Sequence, residues 1–260
     1  LLNRRSEVSV QRVYAQIDGE TACLRVPRAQ SYVMDGVVWG AVDELFTPAF
    51  WKAQAWQHEA AGTYADLRLG RSLVEEVSAC LLGGYGMPAE LGLAAYARLR
   101  ERQLLHNDCD ERDLLIALSE PLLVHGRWRT YRFARQRSRY LAASLAYLAD
   151  LAEPEDDVAL RDALTGAPGV GLKTASWVVR NYRGSDEIAI LDVHVVRACA
   201  LMGVFEFQAV TPSSYERLEE SYLDFADAIG VRAGLLDAIM WDYMRRLGAQ
   251  EATERQLCLL

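Results

Sequence analysis

The amino-acid sequence predicts a mainly α-helical protein with one short β-hairpin near its N-terminus. Three observations carry that reading. From Val38 onward, apolar residues recur every three or four positions in segments separated by Gly and Pro. The regular strand–helix alternation of a parallel sheet is absent. In residues 1–35 the stretches VSVQRVYAQ and ACLRVP are rich in branched and aromatic residues, and they flank Asp18-Gly19-Glu20, a turn sequence.

The helical segments follow in order. WGAVDELF (39–46) reads as one helical piece, and FWKAQAWQHEAAGTYADLRLG (50–70) as a second after Thr47-Pro48. SLVEEVSACLLGG (72–84) is ended by its glycines, and PAELGLAAYARLRERQLL (88–105) opens on a proline. Between Tyr131 and Leu148, Arg132, Arg135 and Arg139 share one stripe, while Ala134, Leu141, Leu145 and Leu148 share another. The organisation expected is an N-terminal extension over 1–35, a helical domain over 36–250 and a tail over 251–260.

Composition narrows the function. Of the 260 residues, 51% are hydrophobic and 25% charged, as in ordinary globular chains, and no apolar run reaches the roughly 18 residues of a membrane helix. LLNRRSEVSV lacks a signal-type apolar stretch, so a cytoplasmic protein is expected. The five cysteines are scattered without a CxxC pair, and the four histidines form no HExxH cluster, so no metal site is expected. The net charge of -8 opposes nucleic-acid binding. Its distribution does not: RWRTYRFARQRSR, Arg127–Arg139, holds six arginines and no acid, whereas acids gather in 108–113 and 153–157. The arginines read either as a solvated helix surface or as a phosphate-binding face.

The densest chemistry lies between Asp162 and Gly203. Pro168 and Gly169 stop one helix near 164, and Gly171 admits the next, which runs to about 180. Bare glycines leave the N–H groups of Gly169, Val170 and Gly171 able to face a phosphate, beside the positive end of the following helix. Lys173 falls in that helix's first turn, where a cation is disfavoured and a neutral amine would be a nucleophile. Lys173, Trp177 and Arg180 share a face by spacing, with Ala175, Val178 and Val179 on the buried side. Alone, Lys173 reads first as an exposed surface lysine, because lysines are mostly exposed. Asp192 follows the apolar approach Ile188–Leu191 and precedes another helix, which suits an N-cap, a catalytic carboxylate, or both. His194 suits a phosphate contact or a local cap.

These residues resemble the helix-hairpin-helix base-excision DNA glycosylases, and GLKTASWVVRN with LDVHVVR is most similar to the prokaryotic 8-oxoguanine DNA glycosylases. The family signature is a PGxG hairpin, a lysine and an aspartate about 19 residues later; here these are Pro168–Gly171, Lys173 and Asp192 (192 - 173 = 19). YRFARQRSRYLAASL resembles the family's arginine-bearing helix. LLDAIMW, Leu235–Trp241, resembles a late segment whose aspartate and tryptophan line the base pocket. DYMRRLGA stands where the prokaryotic branch carries a threonine-glycine pair, and the four-cysteine iron–sulfur loop of endonuclease III-like relatives is absent. The similarity extends over roughly residues 120 to 245.

The resemblance implies two helical subdomains flanking a DNA-binding cleft and a bifunctional glycosylase/AP lyase for an oxidised purine, 8-oxoguanine. It implies Lys173 and Asp192 as catalytic residues, and Asp237, Trp241 and Trp177 as base-pocket candidates. The backbone-contact candidates are Gly169, Val170, Gly171, His194, Arg132, Arg135 and Arg139. The expected partner is damaged double-stranded DNA, bound by a monomer without cofactor, metal or membrane. The competing readings are a glycosylase for a different modified base, a non-catalytic DNA-binding repair accessory, and a helical interaction protein that ignores nucleic acid. Trp39, Trp51, Trp56 and Trp128 read as core by default, with pocket or wedge roles open.

Overall fold

The computed structural model describes residues 10–17, 19–84 and 86–258, of which 247–258 are described by their backbone. Leu1 to Asn3 and the rest of the first nine residues, Asp18 of the expected turn, and the last two residues of the tail lie outside that description. The fold is mainly helical with small β-hairpins. Among the described residues, no helix is long and apolar enough to cross a membrane. The chain divides into two compact units, Leu1–Ala65 with Ala189–Leu260, and Asp66–Ile188.

The first unit opens with β1 (Gln11–Ile17) and β2 (Glu20–Val26), which pair antiparallel from Gln11↔Val26 to Ile17↔Glu20. This is the N-terminal hairpin expected from the sequence. A second small hairpin, β3 (Tyr32–Met34) with β4 (Val37–Val38), follows and was not expected. The helix expected over 39–46 does not form. A tertiary clamp overrides the apolar pattern there: the Gln11 amide donates to the carbonyls of Pro27 (2.8 Å) and Gly40 (2.9 Å) and accepts from the Val42 N–H (2.8 Å). Phe46, at φ 66°, turns the chain into α1 (Pro48–Ala60). Thr47 caps this helix by accepting from the Phe50 N–H at 3.1 Å, and Pro48 occupies the first turn, where no N–H is needed. The helix ends at Ala60, short of the stretch to Gly70 read from sequence.

Phe46, Phe50 and Trp51 form an aromatic cluster with Tyr243. Trp51 is fully buried and Trp39 nearly so, as the core reading of both requires. His58 meets Tyr64 and Tyr243 edge-on. Burial lowers the His58 pKa below its ordinary 6.5, although the Asp242 carboxylate opposes the shift.

The second unit holds α2 (Leu73–Leu82), α3 (Ala89–Glu101), α4 (Glu111–Ser119), β5 (Leu122–Val124), β6 (Arg127–Arg129), α5 (Ala134–Ala149), α6 (Asp157–Leu164) and α7 (Leu172–Arg183). Its core runs through Val77, Leu81, Leu99, Leu118, Leu141, Leu145, Leu160 and Val178. Leu141, Leu145 and Leu148 are buried, in agreement with the apolar stripe read from sequence. The hairpin β5–β6, absent from the sequence reading, stands immediately before the arginine-bearing helix.

One buried carboxylate organises this unit. Glu76 has no solvent exposure. It accepts from the N–H groups of Leu69 (2.9 Å) and Gly70 (2.8 Å) and from the Asn181 amide (2.8 Å). It therefore joins the loop before α2 to α7. Arg180 is also buried, so the face it shares by spacing with Lys173 and Trp177 turns into the interior toward the C-terminal end of α7. α7 packs on α2 along that side, and the charge of Arg180 acts on the buried Cys80 thiol beside Glu76.

Replacing Glu76 by Ala strands the buried Gly70 and Asn181 donors and the half-buried Leu69 N–H, and is expected to reduce unfolding free energy by about 3 kcal/mol or more in urea titrations. A loss below about 1 kcal/mol would contradict the bracing role. For His58, the unfolded state takes up a proton first as pH falls below 6.5, so its stabilising contribution is present above that pH and lost below it. His58→Gln is expected to flatten the decline in thermal midpoint below about pH 6.5, relative to the parent protein.

Candidate active site

In the second unit, the segment between α6 and α7 forms the expected hairpin. The N–H groups of Gly166, Ala167 and Val170 are each taken by a turn bond, to the carbonyls of Ala163, Leu164 and Ala167. Pro168 has no N–H. Val170 is buried and its donor is engaged, so it anchors the hairpin and does not serve as the outward donor expected of it. Gly169 and Gly171 are exposed. Gly171 caps α7 without a side-chain acceptor, so its first-turn amides lie at an uncapped helix end.

Helix α5 supports the hairpin with a stripe spaced four and three residues apart. Tyr140 lies against Gly169, Ser144 donates to the Pro168 carbonyl at 2.8 Å, and Tyr147 donates to the Ala163 carbonyl at 2.8 Å. Gly169 has φ +84°, and a Cβ placed there would stand 2.5 Å from Cδ2 of Tyr140. Both the conformation and the contact demand glycine. At the far end of α7, Arg183 pairs with Glu153 (2.9 Å) and Asp157 (3.1 Å) and also donates to the Pro154 carbonyl. The two helices are thus fixed at both ends.

Lys173 is half-buried at the second position of α7. Trp177, one turn on, lies over Gly83 at the end of α2, where a Cβ would come within 3.1 Å of its ring. Its ring is partly buried against the unit's core. Arg135 and Arg139 are exposed on α5, opposite its leucines, and Arg139 stacks over Tyr140 at 5.5 Å. Arg132 precedes the helix, is exposed, and donates to the Gly86 carbonyl at 2.9 Å.

In the first unit, Asp192 caps α8 (Val193–Met202). Its Oδ1 accepts from the N–H groups of His194 (2.8 Å) and Val195 (2.9 Å). Only 9% of the residue is exposed. Both cap bonds fall on one oxygen, so capping does not consume the second. The approach to Asp192 is buried and held by α9 (Pro212–Ile229). Glu219 accepts from the Ala189 N–H at 2.8 Å, and Tyr215 donates to the Ala189 carbonyl at 2.7 Å. Sequence reasoning missed this pair, because Glu219 sits within the charged run ERLEES and looks like solvated surface.

Helix α10 (Ala233–Cys258) packs on α8 and carries Asp237 and Trp241 one turn apart. Asp237 is 1% exposed and Trp241 half-buried. The Trp241 ring is already stacked by Arg245, whose guanidinium lies 4.5 Å from its centroid. Asp242 receives Arg246 (2.9 Å), Arg245 (3.5 Å) and the Tyr64 hydroxyl (3.0 Å). Burial, then the Asp242 bond, raises the Tyr64 pKa to about 12. DYMRRLGA, the stretch that departs from the family pattern, thus supplies internal contacts of this unit.

The architecture places the chain among helix-hairpin-helix folds. It aligns with the 8-oxoguanine DNA glycosylase of Thermotoga maritima at TM-score 0.60 and 22% identity, over 77% of this chain and 98% of that one. It aligns with that of Methanocaldococcus jannaschii at TM-score 0.59 and 20% identity, over 75% and 94%. A trapped endonuclease III–DNA covalent intermediate aligns at TM-score 0.54 and 21% identity, over 75% and 86%. Residues 63–231 match the family model of 8-oxoguanine DNA glycosylases, and the chain belongs to that family. The 8-oxoguanine DNA glycosylase/AP lyase of Metallosphaera sedula is 32% identical over 117 residues, 43% of this chain and 57% of that protein. Its counterpart in Saccharolobus solfataricus is 28% identical, over 43% and 58%. The matched region therefore spans somewhat over half the length of these curated relatives.

Gly169→Ala is expected to destabilise the protein by roughly 1–3 kcal/mol, through an unfavourable φ and a forced shift of Tyr140. Gly171→Ala, at negative φ and with open space around the added carbon, is expected to stay within about 0.5 kcal/mol of the parent. Thermal melts of the two variants test the contrast, which equal stabilities would remove.

Proposed function

We propose that this protein is a bifunctional DNA glycosylase/AP lyase that removes 8-oxoguanine from duplex DNA, with Lys173 as nucleophile and Asp192 as its carboxylate partner. The observation that carries the reading is the PGVG hairpin. It is braced by α5 and delivers Lys173 into the first turn of α7 beside exposed glycine amides. Membership of the family supports the substrate class.

The chemistry follows from these groups. The damaged nucleotide must leave the stack before a side chain can reach its sugar. The amides of Gly169 and Gly171, aided by the α7 dipole, hold a backbone phosphate without reading sequence, and Arg132, Arg135 and Arg139 add phosphate contacts. His194, at the start of α8, is a further backbone candidate. Asp237 bonds the polar edge of the extruded base, and Trp241 stacks on it, either on the face free of Arg245 or after displacing that side chain. The packing of Trp177 on Gly83 favours a supporting role over direct base contact.

As the C1′–N bond breaks, its electron pair leaves with the base. The Asp192 carboxylate stabilises the positive charge developing on the sugar. The neutral Lys173 amine adds to C1′, and ring opening with proton loss gives a Schiff base. Removal of a C2′ proton then expels the 3′ phosphate by β-elimination, and water releases the lysine. The steps use side chains of this chain and no cofactor. A monomer acting in the cytoplasm at the chromosome completes the reading.

Borohydride reduction on a duplex carrying 8-oxoguanine opposite cytosine is expected to trap a covalent complex with the wild-type protein. Lys173→Gln is expected to give none. Asp192→Asn, which keeps an oxygen acceptor for the helix cap, is expected to lose at least about 100-fold in trapping rate while remaining folded. Base release without a trapped adduct would exclude the lysine mechanism, and preferential release of an alkylated base or oxidised pyrimidine in competition would exclude the substrate. Damaged-duplex binding without release by the wild type would point to a non-catalytic module.

A further inference from the structure

The hairpin β5–β6 carries its apolar residues on the wrong face for a simple surface ribbon. Leu122 pairs with Arg129, Leu123 with Trp128, and Val124 with Arg127. Leu122 and Val124 face the unit's core, as the alternation of a strand requires. The opposite face should be polar. Instead it presents the cross-strand pair Leu123 and Trp128, which are 56% and 69% exposed. Trp128 is thus neither core nor pocket lining in this unit.

The ribbon is held firmly for so small an element. Its tip, His125-Gly126, has φ values of 48° and 72°, the positive pair of a tight two-residue turn that keeps Leu123 and Trp128 in register. At its entry, Arg98 of α3 donates to the carbonyls of Ala117 (3.2 Å), Glu120 (2.8 Å) and Pro121 (2.7 Å). At its exit, the buried Tyr131 donates to the Leu82 carbonyl at 2.6 Å. An exposed tryptophan on a ribbon anchored at both feet is prepared for a contact, because little backbone freedom remains to be lost on binding.

Charge identifies the occupant. Arg127 and Arg129 leave β6 on the face opposite Trp128, across from Val124 and Leu122, yet both are exposed, and the exposed Arg132, Arg135 and Arg139 continue the series. No acid interrupts Arg127–Arg139 in a chain of net charge -8. An exposed indole on a thin ribbon whose rim and continuation carry only cations matches a nucleic-acid strand, with a base face for the ring and phosphates for the guanidinium groups.

We propose that the β5–β6 hairpin is a second DNA-contact element, distinct from the α6–α7 hairpin, in which Trp128 stacks on an unstacked base with Leu123 beside it while Arg127 and Arg129, reaching round from the ribbon's other face, add to the positive potential that draws the strand's phosphates. This rests on the reading of the chain as a DNA-repair enzyme. It adds a preference for DNA whose bases are already accessible: a bulge, a gap or a single-stranded stretch.

The test is fluorescence anisotropy of the full chain with three labelled oligonucleotides: a perfect duplex, a duplex with a two-base bulge, and a single strand. Trp128→Ala is expected to weaken binding to the bulge and the single strand roughly five- to fiftyfold, and binding to the perfect duplex by less than about threefold. Trp128→Phe is expected to retain most of the affinity. The double variant Arg127→Gln/Arg129→Gln is expected to reduce the slope of log affinity against log salt by roughly 1 to 2. Because Trp128 is exposed, its variants should melt with the parent protein, and circular dichroism checks this.

Equal affinities of Trp128→Ala and wild type for all three DNAs overturn the proposal. So does a wild-type self-association, seen by sedimentation, that Trp128→Ala abolishes while DNA affinity is unchanged; the exposed pair would then be a protein interface. Wild type that traps the lesion adduct, together with an unaffected Trp128→Ala, sinks the hairpin's role alone. Wild type that binds no DNA sinks both it and the reading beneath it.

Discussion

The close approach of Tyr140 to Gly169 is the contact on which the candidate site most depends. It fixes a sharp turn where any larger residue would clash, and it does so from a helix whose adjoining stripe, Leu141, Leu145 and Leu148, belongs to the core. Ser144 and Tyr147 extend the same stripe along α5, so the turn is fastened at three levels. The position of α7 follows from that turn, and with it the position of Lys173. The other side of α7 is held through Asn181 to the buried Glu76. A side chain on a helix fixed along two faces loses little order when it engages a ligand, and this is the condition that effective positioning requires.

The other unit solves a similar problem with polar groups. Asp192 sits at the end of a buried approach, where Tyr215 and Glu219 satisfy the backbone of Ala189. Its own cap bonds lock its rotamer, because two amides converge on a single oxygen. The same residue can therefore start a helix and present a carboxylate in a fixed direction. Along α10, Asp242 gathers Tyr64, Arg245 and Arg246, and Arg245 in turn covers Trp241. Structural and candidate functional residues are interleaved on this helix at single-residue spacing.

Much of this was legible in the sequence, for identifiable reasons. Helices α1 to α3 and α5 to α8 announce themselves by periodicity and by their Gly and Pro boundaries, α4 and α9 only as parts of a generally helical remainder, and the N-terminal hairpin by composition. The α6–α7 turn could be located because Pro and Gly punctuate helices locally. The failures are non-local. The apolar stretch 39–46 looked helical, but the Gln11 side chain holds its backbone from 29 and more residues away. Two short ribbons, β3–β4 and β5–β6, were too brief to show alternation. Arg180 shares a face with Lys173 as helical spacing requires, but spacing did not show that this face is buried at Arg180, alongside Glu76 and Cys80. Val170 was read as a donor from its place in a glycine turn, although its N–H closes that turn. Local chemistry thus located the candidate residues on their helices and turns, and partners remote in sequence determined which of their atoms are engaged in the fold.

The arginine stretch has a consequence beyond its individual contacts. A chain of net charge -8 whose stretch Arg127–Arg139 holds six arginines and no acid concentrates positive potential on one short segment, and a polyanion exerts a torque on that segment before any surfaces touch. Screening shortens the reach of that torque to about 8 Å at physiological ionic strength. Orientation is then decided in the last few solvent layers, where the β5–β6 ribbon and α5 carry the field.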